Sequence, residues 1–180
     1  MLNILQLIVD TVATILGGVL LLRFWMQAIR VRPPASVGQF TFTVSDWLVK
    51  PLRRIVPGVG GFDWASLLGA LLVVALATCI YFLAGLPAEV VLLKILYRFI
   101  TWMIYGLIAL LIAEAIFSWV NPQAPLAPFV RALNDPLLRP LRRMVPPLGG
   151  IDFSMLVALI LLQIVLMVVR TLFPPMIVAL

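Results

Sequence analysis

The chain has 180 residues, of which 64% are hydrophobic and 11% are charged, and its formal net charge at pH 7 is +6. Soluble proteins are about half apolar and about a quarter charged, so this chain carries more apolar surface than one soluble domain of its size can bury. The composition excludes a soluble globular enzyme, a disordered linker and a secreted disulfide scaffold, and it predicts an integral membrane protein.

Four apolar segments are each long enough to cross a bilayer as a helix, which requires about 20 residues. The first span should be retained rather than cleaved as a signal peptide, because no Lys or Arg precedes Arg23. The expected fold is therefore an all-α membrane protein with four transmembrane helices. The predicted spans run from about Leu2 to Trp25, Trp64 to Leu86, Val91 to Val120 and Phe153 to Phe173.

Lysine and arginine residues concentrate in the two long connections, after the first and the third span. Positive residues favour the cytoplasmic side of a membrane. We therefore expect a multi-pass protein of the bacterial inner membrane with both long connections cytoplasmic and both termini periplasmic. No aromatic–basic motif accompanies the positive charge, so no nucleic-acid partner is expected. The residues concerned are Arg30, Arg32, Lys50, Arg53 and Arg54, and then Arg131, Arg139, Arg142 and Arg143.

The two halves of the chain are related by an internal repeat. With a shift of 89 residues, LVKPLRRIVPGVGGFDWASL at 48–67 aligns without gaps on LLRPLRRMVPPLGGIDFSML at 137–156. This match predicts a tandem duplication, in which residues 1–89 and 90–180 each form a span, a basic loop and a span. Because each unit contains an even number of spans, the two copies should be parallel in the membrane.

Each basic loop contains a predicted short amphipathic helix at the cytoplasmic headgroup level. Ser45 is the expected N-cap of the first helix, and Asn134 or Asp135 that of the second. The basic faces are predicted to dock anionic lipid or a protein partner, such as a membrane, division or assembly protein. A rigid corner that returns the chain to the membrane is the simpler and compatible interpretation. The predicted docking residues are Lys50, Arg53, Arg54, Arg139, Arg142 and Arg143.

An aspartate directly precedes the second span of each unit, at Asp63 and Asp152. Both are expected N-caps, since a carboxylate accepts hydrogen bonds from the first amides of a helix and suits the positive end of its dipole.

The string PLRRIVPGVGGFD at 51–63, repeated as PLRRMVPPLGGID at 140–152 behind an apolar span ending in FSWVNP, resembles the repeat of the bacterial YggT/YlmG family. The resemblance covers nearly the whole chain in two copies. In that family a Ser-Pro often follows the aspartate, whereas Trp64 and Phe153 follow it here. The resemblance implies a small inner-membrane protein without an agreed reaction. Its members are associated with membrane-complex or cofactor assembly, cell division and osmotic tolerance.

The first and third spans contain charged residues at matching depths. In the repeat alignment Arg98 lies beside Asp10, and Glu114 lies two residues beyond Arg23. If the spans touch, we expect the pairs Asp10–Arg98 and Arg23–Glu114, which would clasp the two helices together. An ion or proton path lined by Glu114 and Arg23 is the alternative.

No catalytic, cofactor or metal site is expected, because the chain has no His and Cys79 is its single cysteine. The favoured prediction is a non-enzymatic scaffold or assembly factor that docks through its basic loops. The alternative is a small transporter or channel subunit that uses the charges of the first and third spans. Whether the chain forms a homo-oligomer stays open.

Overall fold

The computed structural model describes residues 2–83, 85–144 and 153–179, which form eight helices. No strand occurs within these ranges. The predicted all-α class is therefore confirmed for this part of the chain. In chain order the helices are α1 Leu2–Ala28, α2 Ala35–Ile55, α3 Trp64–Thr78, α4 Ile80–Leu83, α5 Ala88–Val120, α6 Ala127–Met144, α7 Ser154–Leu172 and α8 Pro175–Ala179.

Four segments are apolar and long enough to cross a membrane, and they agree with the predicted spans. The segment in α1 ends at Ala28 rather than at Trp25. Helix α5 has 33 residues, and at 1.5 Å per residue it is about 50 Å long, so it extends beyond a hydrocarbon core of about 30 Å. The segments are Ile4–Ala28, Trp64–Phe82, Ala88–Val120 and Ser154–Leu172.

The spanning helices of the first half pack closely through small residues. Helix α1 packs most extensively on α3, and Leu20 of α1 is fully buried in an apolar cluster that includes Ala65, Ala70 and Ala77 of α3. Small side chains allow two helices to approach each other closely without a gap, which is how dispersion stabilises helix pairs in lipid. Helix α3 also packs on α5, so it joins the two halves of the chain.

Two further apolar clusters complete the core. One joins α5, α6 and α7, with Leu111, Leu138 and Ala158 at its centre. The other joins the end of α1 to α6, where Met26 is buried against Leu133. The loop helix α6 is therefore held by both halves of the chain.

The loop helices α2 and α6 are longer than predicted, and the expected caps are wrong. Helix α2 begins at Ala35, and α6 begins at Ala127. Ser45 and Asn134 lie buried in the middle of these helices instead of at their first turns. The Ser45 hydroxyl donates to the carbonyl of Thr41 at 2.6 Å, because a side chain that can bond one turn back is also stable inside a helix.

Candidate functional site

The cluster that we call the first corner lies where α2 turns into α3, and its central group is the carboxylate of Asp63. Gly60 and Gly61 adopt positive φ angles of 70° and 85° in this turn, a backbone conformation that glycine adopts without steric cost. Asp63 is the N-cap of α3. Its carboxylate accepts hydrogen bonds from the Ser66 amide at 3.4 Å and from the Ser66 hydroxyl at 2.6 Å.

Two arginines approach the buried Asp63 carboxylate from different helices. Arg53 of α2 binds it through one edge of its guanidinium: Nε donates to Oδ1 at 3.2 Å, and Nη2 donates to Oδ2 at 2.5 Å. Arg23 of α1 places its Nε 3.5 Å from Oδ2, close enough for an ion pair but not aligned for a hydrogen bond. Burial alone would raise the pKa of Asp63, but the hydrogen bonds from Arg53 and Ser66 outweigh it and hold the pKa below its ordinary value.

Arg23 completes the first corner by joining α1 to α2 as well. Its Nη1 donates to the Ser45 hydroxyl at 2.6 Å and to Asp46 Oδ1 at 2.7 Å. Its guanidinium lies 4.9 Å from the centre of the Phe42 ring, which adds a cation–π contact. The hydrogen bond from Arg23, followed by that from Lys50, lowers the pKa of Asp46. The first corner therefore comprises Arg23, Ser45, Asp46, Arg53 and Asp63.

The predicted pair between Arg23 and Glu114 is wrong. Within the described residues, Arg23 is bound by residues of α2 and by Asp63, whereas the partners of Glu114 lie on α6. Glu114 of α5 accepts a hydrogen bond from Asn134 at 2.8 Å, and its other oxygen lies 3.5 Å from Arg142 and 4.0 Å from Arg131. Equal depth in two spans does not fix the direction in which a side chain leaves its helix, and α2 and α6 supply nearer partners.

Glu114 and the described residues that contact it, Asn134, Arg131 and Arg142, form what we call the second corner. At the 89-residue shift, Asn134 corresponds to Ser45 and Arg142 corresponds to Arg53. The side chain contributed by the span is an arginine in the first corner and a glutamate in the second, Glu114. Asp152, the predicted cap that corresponds to Asp63, lies outside the described residues.

The six predicted docking residues separate into an inner and an outer set. Arg53 and Arg142 form the inner set, since both bind the carboxylates of the corners. The outer set extends from the exposed sides of α2 and α6. Lys50 and Arg139 are paired with aspartates one turn earlier, Asp46 and Asp135. Arg54 and Arg143 are exposed, and the described part of the chain gives neither of them an ion-pair partner.

At the other end of the spans, the structure brings Asp10 and Arg98 together. Arg98 Nη2 donates to Asp10 Oδ1 at 2.7 Å, and Arg98 Nη1 lies 3.4 Å from the Thr78 hydroxyl. The Arg98 guanidinium also lies 5.6 Å from the centre of the Trp102 ring. This pair connects α1 to α5 and therefore joins the two halves of the chain.

Sequence reasoning gave no role to Lys94, which is buried one turn before Arg98. Its ammonium donates to the carbonyl of Ile177 on α8 at 2.8 Å, and it lies 5.9 Å and 5.8 Å from the ring centres of Tyr81 and Tyr97. Within the described ranges no carboxylate lies within ion-pair distance of it. The spacing of four residues between Lys94 and Arg98 places both on one face of the helix and could have indicated a shared site. Helix α8, which covers Lys94, was not predictable from the sequence.

Comparison with known proteins gives a consistent result. A family model described as CCB3/YggT matches residues 2–84 and 93–173. The chain is 35% identical over 174 residues to the uncharacterized protein YggT of Escherichia coli strain K12, covering 91% of this chain and 87% of that protein. It is 34% identical over 170 residues to an uncharacterized protein of Pseudomonas aeruginosa, covering 90% and 86%. An uncharacterized protein of Haemophilus influenzae is 32% identical over 157 residues, covering 87% and 86%. No solved structure matches.

Proposed function

This chain belongs to the CCB3/YggT family, and from that premise we propose that it is a non-enzymatic scaffold or assembly factor of the bacterial inner membrane. Its docking surface is the outer basic face of α2 and α6, where Lys50, Arg54, Arg139 and Arg143 are exposed. The ligands that fit such a surface are an acidic protein partner or anionic lipid headgroups.

The proposed architecture is two parallel repeats, each with an amphipathic loop helix on the cytoplasmic side. Three observations support it. The order of a span, a loop helix and a span occurs twice, as α1–α2–α3 and as α5–α6–α7. The family model matches the chain in two segments. Each loop helix has a buried side, with Val49 or Leu138, and an exposed side that carries the basic residues.

One observation carries the docking proposal: charged residues inside the spans are bound within the protein, whereas arginines of the loop helices are exposed. Two acidic residues inside the spans, Asp10 and Glu114, are each bound by an arginine, which suits a structural clasp better than a water-filled path. Arg54 and Arg143 instead extend from the surface, where a long side chain without a carboxylate partner is available to a ligand.

Native-membrane crosslinking and capture in mild detergent test this proposal. We expect a reproducible partner with the wild type that is lost when Arg54→Gln and Arg143→Gln are combined. Arg170→Gln is the matched control, because it also removes an exposed arginine but lies at the opposite end of a span. Retention of the same partner by the double variant at equal abundance would contradict docking through this face.

A small transporter or channel subunit is the second candidate, and the buried Lys94 is the observation that favours it. An ammonium inside a span without a carboxylate partner is costly in lipid, and such residues often mark solute or ion paths. Ion flux in proteoliposomes distinguishes the two functions. A flux that Lys94→Met abolishes at normal abundance would support transport, whereas the scaffold proposal expects no flux from the wild type.

A further inference from the structure

A groove of about 840 Å³ runs along α6 beside the residues that follow α1. One wall is formed by compact side chains of proline and alanine, spaced one helical turn apart. These are Pro128, Ala132, Pro136 and Pro140. Since residues four apart lie on one face of a helix, this row leaves a continuous depression along α6. Its volume lies in the range of small-molecule sites, which is about 300–1,000 Å³.

The neighbouring row of α6 carries the charge of the groove. Arg131, Asp135, Arg139 and Arg143 are again spaced one turn apart, and all four line the groove. Three arginines and one aspartate give this wall a formal charge of +2. Arginine is the side chain best suited to a phosphate, because its planar fork donates two parallel hydrogen bonds. Arg139 is paired with Asp135, and Arg131 lies 4.0 Å from Glu114, whereas Arg143 has no ion-pair partner among the described residues. The net positive wall suits an anion that carries phosphate oxygens.

The prolines add hydrogen-bond acceptors to the same groove. Proline has no N–H, so Pro136 and Pro140 cannot donate to the carbonyls of Ala132 and Pro136 one turn earlier. Both prolines lie inside α6 and both line the groove. Acceptors beside a phosphate-binding row suit a headgroup that also carries hydroxyl groups.

The groove lies beside the end of a spanning segment, a position that suits the headgroup level of a bilayer. The groove is also lined by Ile29 and Val31, which lie one and three residues after the spanning segment that ends at Ala28. Trp25, an aromatic residue of the kind that lies at membrane interfaces, donates its indole N–H to the carbonyl of Leu133 at 3.0 Å and so fixes the end of α1 to α6. An apolar wall at this end and arginines beyond it match a molecule with acyl chains and an anionic head.

We infer that the α6 groove binds one anionic phospholipid with a hydroxyl-bearing headgroup, of which phosphatidylglycerol is the simplest example. The arginine row holds the phosphodiester, and Ile29 and Val31 contact the first acyl carbons. This inference rests on the proposed docking role of the basic loop helices and specifies its ligand for one of them. The equivalent position on α2 differs, because Trp47 occupies the place of Pro136.

Native mass spectrometry of the purified protein, titrated with phosphatidylglycerol and with phosphatidylcholine of the same acyl chains, tests the inference. The groove variant combines Arg139→Gln with Arg143→Gln. The chain offers a matched control at the corresponding positions of α2, Lys50→Gln with Arg54→Gln. A third variant, Ala132→Trp, fills the groove without changing its charge. Glycerol 1-phosphate is added as a competitor that carries the headgroup without acyl chains.

We expect one phosphatidylglycerol to bind the wild type and the α2 control alike. The groove variant should bind it about tenfold to thirtyfold more weakly, as the loss of two arginines at an anionic surface predicts, and Ala132→Trp should abolish the bound species. Equal weakening by both charge variants, equal binding of phosphatidylcholine or full competition by glycerol 1-phosphate would each overturn the inference. If these occur while partner capture still depends on Arg54 and Arg143, the proposed docking function stands and the lipid site alone is wrong.

Discussion

The Asp63 carboxylate serves three helices at once. It caps α3, binds Arg53 of α2 through two hydrogen bonds and lies beside Arg23 of α1. Removing the carboxylate takes a partner from both arginines, and breaking a buried ion pair typically costs about 3–5 kcal/mol. The corner is therefore held by ionic contacts that only a folded chain can assemble.

Acid should destabilise the protein through this group. The pKa of Asp63 lies below its ordinary value of 3.8 in the folded chain, so the unfolded chain takes up the proton first as the pH falls. The stabilisation is complete well above the unfolded pKa and is lost as the pH falls through the lower, folded pKa. We expect the melting temperature in detergent to be constant between about pH 7 and pH 5 and to fall below about pH 4.

The substitution Asp63→Asn assigns this fall to its source. The variant should melt below the wild type at neutral pH, and the difference should shrink as the wild type is acidified. Glu89→Gln is the control, because Glu89 is an exposed carboxylate in the first turn of α5. If the melting temperature of Asp63→Asn fell at low pH as much as that of the wild type, other carboxylates, such as Asp46, would control this fall.

Individual charged residues were only partly predictable. Asp10 and Arg98 meet because both lie on the faces where α1 and α5 contact each other. The proposed partner of Arg23 was wrong, since hydropathy gives the depth of a residue in a span but not the direction of its side chain. The partners Ser45 and Asp46 lie on a helix whose beginning the sequence did not show.

Helix α1 contains two adjacent glycines in different environments. A Cβ at Gly17 would lie 2.2 Å from Cζ3 of Trp102 on α5, whereas a Cβ at Gly18 would meet no atom within 4 Å. Gly17 therefore allows the Trp102 ring to lie directly on the backbone of α1. This contact is next to the Asp10–Arg98 pair, since Arg98 lies against the same ring.

Replacing each glycine by alanine should have different effects on the melting temperature. Alanine favours a helix over glycine by about 1 kcal/mol, so Gly18→Ala should raise the melting temperature in detergent or leave it unchanged. Gly17→Ala must displace the indole, and overpacking of this kind costs about 1–3 kcal/mol, so it should lower the melting temperature. Equal effects of the two substitutions would argue that α1 and α5 do not meet at Trp102.

The membrane-spanning helices were predictable from their apolar sequences, whereas the bounds of the proline-containing loop helices were not. The apolar segments that give α1, α3, α5 and α7 follow directly from hydropathy. The beginnings of α2 and α6 were misplaced because Ser45 and Asn134 are favourable caps on their own, whereas tertiary contacts with Arg23 and Glu114 hold them inside helices. Pro51, Pro136 and Pro140 also lie inside these helices, all on their exposed sides.

The proposed topology gives a prediction for the whole molecule. In a variant with Cys79→Ser, one new cysteine is placed either at Thr43 on α2 or at Glu89 on α5, both exposed positions. A membrane-impermeant maleimide applied to spheroplasts should label Glu89→Cys directly. It should label Thr43→Cys only after permeabilisation, because the positive loops favour the cytoplasmic side.

The control for this experiment is the Cys79→Ser protein without a new cysteine, which should not be labelled under either condition. Direct labelling of Thr43→Cys, with protection of Glu89→Cys, would show that the orientation is the reverse of the proposed one. The basic faces of α2 and α6 would then lie outside the cell, and a cytoplasmic partner could not reach them.

The opposite charges of Arg23 and Glu114 at the two corners set the stoichiometry of any ligand that recognises them. A symmetric pair of corners would present the same surface twice and would bind two copies of a ligand. Here the first loop helix, α2, binds the cation Arg23 of its neighbouring span and carries the exposed Trp47. The second loop helix, α6, binds the anion Glu114 and carries the proline-lined groove. The two corners therefore differ in charge, and we expect a partner that contacts both of them to bind as one copy in one orientation.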